Sequence, residues 1–248
     1  MTVDTPIFGI PEFDERIARF LPGGWLAILL GDSGSGMQLL AKQFANAGQS
    51  SSPVYYYTTY ERPEDVRQAY SDYGWSADGL KITNLSEQYY TDVLDRELEI
   101  SRVRERGLKY KDIAGLAPGA VPPVLTRPTA RIQTDLSGIE TPFRLVLDSL
   151  DFVLEMVPEA EVLTLARQLR RRCQSLGGQA LLMLAADVHE RRLIGLLEDL
   201  SDLLLDLRSE QSGAEFRPVL TVRKVRNHPE ETRRIPLRAT PGGLSVET

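Results

Sequence analysis

The sequence predicts an α/β fold: a mostly parallel central sheet with helices on both faces, closed by a C-terminal antiparallel β meander. Three observations predict it. Short apolar runs of strand length alternate with longer stretches of helical spacing, the pattern of repeated βα units. One such run passes through a glycine-rich turn directly into a helix. From about 217 to 247 the helical stretches stop, and strand-like runs are separated by Asn227-His228-Pro229 and Pro241-Gly242-Gly243.

Taken in order, Trp25 to Leu30 is a wholly apolar run of the length of a strand buried on both faces. Leu39, Leu40, Gln43 and Phe44 then recur at helical spacing, and Gly48 can stop that helix. Residues 53–59 are aromatic and β-branched, a strand. Pro63-Glu64-Asp65 places proline and acids in a first helical turn. Leu80 to Leu85 is a short strand, and residues 143–148 form a strand ending in an acid. Glu161 to Cys173 is an amphipathic helix, Ala180 to Ala185 a buried strand, Leu193 to Leu200 a helix and Leu203 to Leu207 a strand. The segment 88–141 fits least well. Its first half is charged and helix-like, while Ala117 to Pro123 is rich in proline and glycine and Arg127-Pro128 follows as a further loop signal. It reads as an insertion or mobile loop within one domain spanning 1–248, with a partner-binding element as the alternative.

The 248 residues are 42% apolar and 26% charged, enough for one sizeable core. The net charge of −6 argues against a DNA-binding protein, although a local basic strip can survive an acidic balance. The one cysteine, Cys173, excludes an internal disulfide and is expected to be buried. His189 and His228 do not make a metal cluster. No run approaches the ~20 apolar residues of a membrane span, and Asp4 is followed by no apolar leader core. A cytoplasmic protein without membrane association is expected.

Chemistry concentrates in four places. Gly31-Asp32-Ser33-Gly34-Ser35-Gly36-Met37-Gln38 carries the frame of a phosphate-binding loop, G-x-x-x-x-G-K-[ST], with Met37 in the lysine position and Gln38 in the hydroxyl position. Loop N–H groups and the following helix dipole still offer an anion site; an ordinary glycine-rich βα turn is the alternative. Asp148 ends an apolar strand, where a carboxylate can hold Mg²⁺ beside phosphates. Glu61 follows a strand expected beside the loop's strand, and can orient or deprotonate a water or simply cap the next helix. Lys224 and Arg226 alternate along a strand, with Val222 expected on their face. They can grip a polyphosphate, including one bound by a neighbouring subunit, or be solvated charges on an edge strand.

These elements together resemble the KaiC-like branch of the RecA-fold P-loop ATPases. Phe8-Gly9-Ile10-Pro11-Glu12-Phe13-Asp14-Glu15 and Leu21-Pro22-Gly23-Gly24 are similar to that family's G-I-x-x-L-D-E and (I/L)-P-x-G segments. Glu61-Arg62-Pro63-Glu64-Asp65 resembles E-E-x-P-E-D, and Leu147-Asp148-Ser149-Leu150 its Walker B strand with the trailing D-S-L. Residues 197–208 resemble the late L-A-D-x-V-I-x-L unit, and Lys224-Val225-Arg226 its K-x-R. The resemblance covers nearly the whole chain apart from 88–141. It implies ATP at residues 31–38, Mg²⁺ near Asp148, water activation near Glu61 and self-association, with a hexameric ring as one form. In that ring Lys224 and Arg226 would touch a neighbour's nucleotide.

The departures from the family pattern are Met37, Gln38 and Tyr60, the last standing where the first of two glutamates would be. A lost lysine contact is worth about 1.5–3 kcal/mol, roughly ten- to hundredfold in affinity. Lys42, five positions along the helix, is expected to leave from another face and deeper, and so not to replace it. The reading is a pseudo-ATPase with a regulatory or assembly role and weak or absent ATP and Mg²⁺ binding, acting with itself or an unknown protein partner. The alternatives are a slow working ATPase with compensating cations and a recombinase-like paralogue that modulates DNA strand exchange.

Overall fold

A computed structural model describes residues 7–87, 89–91, 127–212 and 215–247. In it β1 (Trp25–Gly31), β2 (Val54–Thr58), β3 (Leu80–Asn84), β4 (Arg144–Asp148), β5 (Gln179–Ala185) and β6 (Leu203–Ser212) run parallel. β7 (Glu215–Val225), β8 (Arg233–Thr240) and β9 (Gly243–Val246) follow antiparallel. The nine strands are ordered β3-β2-β4-β5-β1-β6-β7-β8-β9. The chain leaves β1 toward β2 on one side and later crosses to place β6 on the other. β1 is therefore the switch point at which open α/β sheets form a crevice beyond their strand ends.

Alternation along the strands divides the interior into two cores. Trp25, Ala27 and Leu29 face one, with α1 (Pro11–Ile17), α2 (Met37–Gly48) and α3 (Pro63–Asp72) packed on it. Leu26, Ile28 and Leu30 face the other, under α4 (Pro128–Ser137), α5 (Leu150–Met156), α6 (Glu159–Leu176) and α7 (Arg191–Leu200). A strand buried on both faces must be apolar throughout, and all seven residues of β1 are buried.

Three polar devices fix the surroundings of β1. Asp14 accepts the N–H groups of Ile7, Phe8 and Gly9 at 3.0, 2.8 and 2.8 Å, folding the opening segment into a tight turn. Burial raises the Asp14 pKa and those N–H groups lower it. Gln43 bonds the carbonyls of Gly9 and Leu244 and the N–H of Leu244, joining both ends of the chain to α2. Asp202, 1% exposed, accepts from Leu26 N at 3.2 Å and pairs with Arg170 and Arg226.

The part of 88–141 that is described differs from a loop. Residues 128–137 are helix α4, with Ala130, Ile132 and Leu136 buried against the second core, and Ile139 continues the packing. Pro128 stands at the helix start, where its missing N–H costs nothing. The proline that suggested a loop therefore initiates a helix. Residues 92–126 lie outside the described residues. Cys173 is fully buried on α6, and burial pushes its thiol up to about 12.

Candidate functional site

The phosphate-loop frame takes the backbone shape its glycines permit. Gly34 and Gly36 have φ of 81° and 90°, values that side chains with a Cβ resist. Ser35 turns back on Asp32, its N–H and Oγ both donating to the Asp32 carbonyl at 3.1 and 2.7 Å. Gly36 caps α2, whose first-turn N–H groups have no carbonyl of their own helix to bond. The loop thus retains the form of an anion cradle.

Its side chains do not retain the charge. Met37 is 5% exposed and belongs to the first core. Side chains near a helix start lean toward its N-terminus, and the Met37 thioether lies against Gly31, where a Cβ would stand 2.8 Å from Sδ. An apolar sulfur fills the floor below the cradle. Gln38 is exposed. Asp32 is held by Arg208 at 2.8 Å, and Arg208 also pairs with Asp206 at 2.6 Å and Asp187 at 2.5 Å.

Asp148 and Glu61 reach the same rim from β4 and the β2–α3 loop. Thr58 and Asp148 are register partners, and Thr59 N and Oγ1 donate to the Asp148 carbonyl at 2.8 and 3.1 Å. The Asp148 side chain is buried and accepts from Tyr56 OH at 3.1 Å. The donor is the central tyrosine of Tyr55-Tyr56-Tyr57 on β2, one strand away. Ser149 Oγ is buried with no partner among the described residues.

Lys42 is as deep as its helix position suggested, and it has a partner that the sequence did not reveal. Its Nζ donates to Glu61 Oε2 at 2.6 Å, and the lysine side chain is only 4% exposed. Burial raises the Asp148 carboxyl to about 6; Lys42 is the chief influence against that rise, while Glu61 and Asp151 add to it. The four-carbon stem crosses the apolar face of α2 and delivers its charge to the carboxylates. A signal existed in the sequence. Lys42 lies among Leu40, Ala41, Phe44 and Ala45, and a charge on so buried a helix needs an opposite charge nearby.

A second pair was not foreseen. Asp151 at the start of α5 accepts from Ala185 N at 3.1 Å and bonds His189 Nε2 at 2.6 Å. Tyr60 is 69% exposed, and burial together with Glu155 and Asp151 raises its pKa.

Lys224 and Arg226 lie away from this rim. Leu203 pairs with Val225 at the start of β6, whereas Leu207, which pairs with Gly31, faces Leu220. The two cations are therefore at the opposite end of the strands. A register shift between Leu204 and Leu205 skips Arg223, so Val222 and Val225 both face the first core while Lys224 and Arg226 face the other side. The expectation that Val222 shares their face fails because of that bulge. Both cations are engaged by their own chain. Lys224 Nζ donates to the Glu198 carbonyl, and Arg226 donates to Asp202 Oδ1 at 2.8 Å and to the carbonyls of Asp199 and Ser201 at 2.5 and 2.7 Å. Burial lowers the Lys224 pKa, with Arg226 adding to the effect. A cleft of about 540 Å³ opens beside them, lined by Asp199, Arg223, Asn227 and Thr232 among others.

A family model described as ATPase: KaiC matches residues 7–248. The chain belongs to the KaiC ATPase family. A solved structure agrees in fold: a KaiC-like protein from the hyperthermophilic archaeon Pyrococcus horikoshii superposes with a TM-score of 0.63 at 20% identity, covering 99% of this chain and 100% of that one. No curated protein matches the chain. Family membership accords with the α/β sheet and its switch-point loop, and it suggests ATP and Mg²⁺ as ligands.

The side chains of this KaiC-family member that a metal would meet are largely engaged elsewhere. Among the described residues no group of three or more His, Cys, Asp or Glu is placed to hold an ion. Gln38 offers an exposed amide in place of a hydroxyl, Glu61 is held by Lys42, and Asp148 is engaged by Tyr56. The orphan Ser149 hydroxyl adds one neutral oxygen. Among the described residues no helix is long and apolar enough to cross a membrane.

Proposed function

We propose that this chain is a KaiC-like pseudo-ATPase with a regulatory or assembly role, binding ATP weakly and hydrolysing it negligibly. The observation that carries the reading is Met37: a thioether packed on Gly31 stands where phosphoryl transfer needs a cation. The slow-ATPase alternative needs another cation free to meet the transferred phosphate. Among the described residues, Lys42 and Arg208 near the loop are both committed, Lys42 to Glu61 and Arg208 to Asp32, Asp187 and Asp206. Glu61, the proposed water-orienting group, is spent in the same way.

What the loop at 31–38 can still do is hold an anion with backbone N–H groups at a helix start. A nucleotide bound so would act as a structural ligand, and self-association through the face bearing Lys224 and Arg226 would be the response. The acidic balance continues to weigh against DNA as the partner.

Two measurements on the full chain test this. Phosphate release from ATP with Mg²⁺ should not exceed the buffer rate, and calorimetric titration should give affinity no tighter than high micromolar. Submicromolar binding, or turnover abolished by Glu61→Gln, would refute the reading.

A further inference from the structure

The ion pair beneath the phosphate loop has a property that weak binding alone does not explain. Lys42 is bonded to Glu61 and acts on Asp148, the carboxylate to which a divalent cation would be assigned, and its ammonium is almost out of water. It comes from α2, the helix that opens with the loop itself, so its position is fixed by the same backbone that shapes the cradle. Tyr70 OH donates to the Lys42 carbonyl at 2.8 Å, and the Asn84 side chain holds the Glu61 carbonyl at 2.9 Å. Thr58 Oγ1 both donates to that carbonyl and accepts the Glu61 N–H, each at 3.0 Å. Both ends of the ion pair are therefore anchored by neighbouring strands and helices.

We propose that Lys42 is the resident counter-charge of Glu61 and Asp148, that it excludes a divalent cation from them, and that any polyphosphate on the loop binds without metal. This inference rests on the pseudo-ATPase reading for the loop and adds to it a physical reason for a metal to be excluded. The charges account for it. Two carboxylates with one ammonium carry a net −1, and a dication entering beside a buried ammonium would meet a like charge at short range in a medium of low dielectric. A carboxylate bonded to Lys42 also has fewer lone pairs to offer. Replacing a metal by a lysine on the loop's own helix removes the requirement for metal and the Lewis acid together.

The inference predicts a gain of function. Mn²⁺ alone, titrated into the full chain without nucleotide and followed by electron paramagnetic resonance, should show no saturable binding to the native protein. Lys42→Met should bind one Mn²⁺ per chain, and adding Asp148→Asn should abolish it. ATP affinity of the native protein should agree within about twofold between EDTA and Mg²⁺, since a tenfold difference would signal a metal contact. Saturable Mn²⁺ binding by the native chain that Asp148→Asn removes would overturn the proposal. So would a Lys42→Met protein that is folded by circular dichroism and binds none. If Lys42→Met does not fold, the native and Asp148→Asn titrations still decide: binding lost with Asp148 overturns the proposal, and absence of binding supports it. The Mn²⁺ arm contains no nucleotide. Turnover of ATP would thus sink the pseudo-ATPase reading separately, and Mn²⁺ binding without turnover would sink this inference alone.

Discussion

Arg208 holds the phosphate loop by its acid: its Nη1 donates to Asp32 Oδ1 at 2.8 Å from the strand next to β1. Asp187 and Asp206 share the same guanidinium and, with their hydrogen bonds, raise its pKa. One cation thus answers three carboxylates at the mouth of the cradle. Asp32→Asn removes the one nearest the loop backbone. The expected outcome is a threefold to tenfold gain (roughly 1 kcal/mol) in tripolyphosphate affinity at low ionic strength, shrinking at high salt. Titration at two salt concentrations checks it; equal affinities of both proteins at low salt would show that Asp32 is not felt by the anion.

Restoring the missing loop residues should have two opposed effects. Met37→Lys with Gln38→Thr should strengthen ATP binding by on the order of tenfold. The same change places an ammonium where a buried thioether now packs, so the ligand-free variant should lose about 1–3 kcal/mol of stability. Denaturant unfolding with and without ATP separates the two. A variant as stable as the native chain and no better at binding would mean that residue 37 does not face the cradle.

The raised Asp148 carboxyl makes a pH prediction with a definite sign. Its folded value of about 6 lies above an ordinary value near 4, because burial disfavours the charge. The folded state therefore holds this proton more tightly than the unfolded chain. The resulting contribution is fully present below about pH 4 and is lost as pH rises through 6. Between pH 4.5 and 8 the native protein should lose about 2–3 kcal/mol on this account. Asp148→Asn should lack that part of the dependence, so the stability difference between the two proteins should move in the variant's favour by that amount. Parallel denaturation curves at both pH values measure it, and a pH-independent difference would refute the assignment.

Arg226 and Lys224 should separate on mutation. Arg226→Ala leaves the buried Asp202 with one cation fewer and removes the donor to two carbonyls at the C-terminal end of α7, and should cost about 1–3 kcal/mol. Lys224→Ala removes a contact to one helix-end carbonyl and should cost less than about 1 kcal/mol. Lys224→Ala is therefore the cleaner probe of assembly. Light scattering with and without ATP should show weaker nucleotide-dependent association for it, and an unchanged association state would favour a purely structural role for both cations.

The parts of this fold legible in the sequence are those set by local periodicity. The runs now seen as β1, β4, β5 and the start of β6 could be read because strands buried on both faces are apolar through their middles, with polar residues such as Arg144, Asp148 and Gln179 at their ends. Gly34 and Gly36 fell in register because their φ values require glycine. What could not be read depends on where side chains end. Lys42 was placed on a helix and deep, but its partner Glu61 could not be read, because spacing gives the direction of a Cβ and not the reach of a long stem. The Tyr56–Asp148 and Asp151–His189 bonds join residues 92 and 38 positions apart, and neither leaves a periodic trace. The bulge at Arg223 reversed the face of Val222 because one skipped residue inverts every later assignment on a strand. Pro128 misled because the residue that ends helices also begins them.

Gln43 closes a circuit between Gly9 and Leu244, and this constrains how the molecule can be made. A side chain on the helix that carries the phosphate loop is satisfied only when residue 244 arrives, 201 positions later. Without it the buried amide on that helix keeps only its Gly9 partner, and unsatisfied polar groups are costly. The helix that opens with the phosphate loop is thus steadied by a contact across 201 positions of sequence, the kind of pairing that a folding chain reaches late because a long loop must close first.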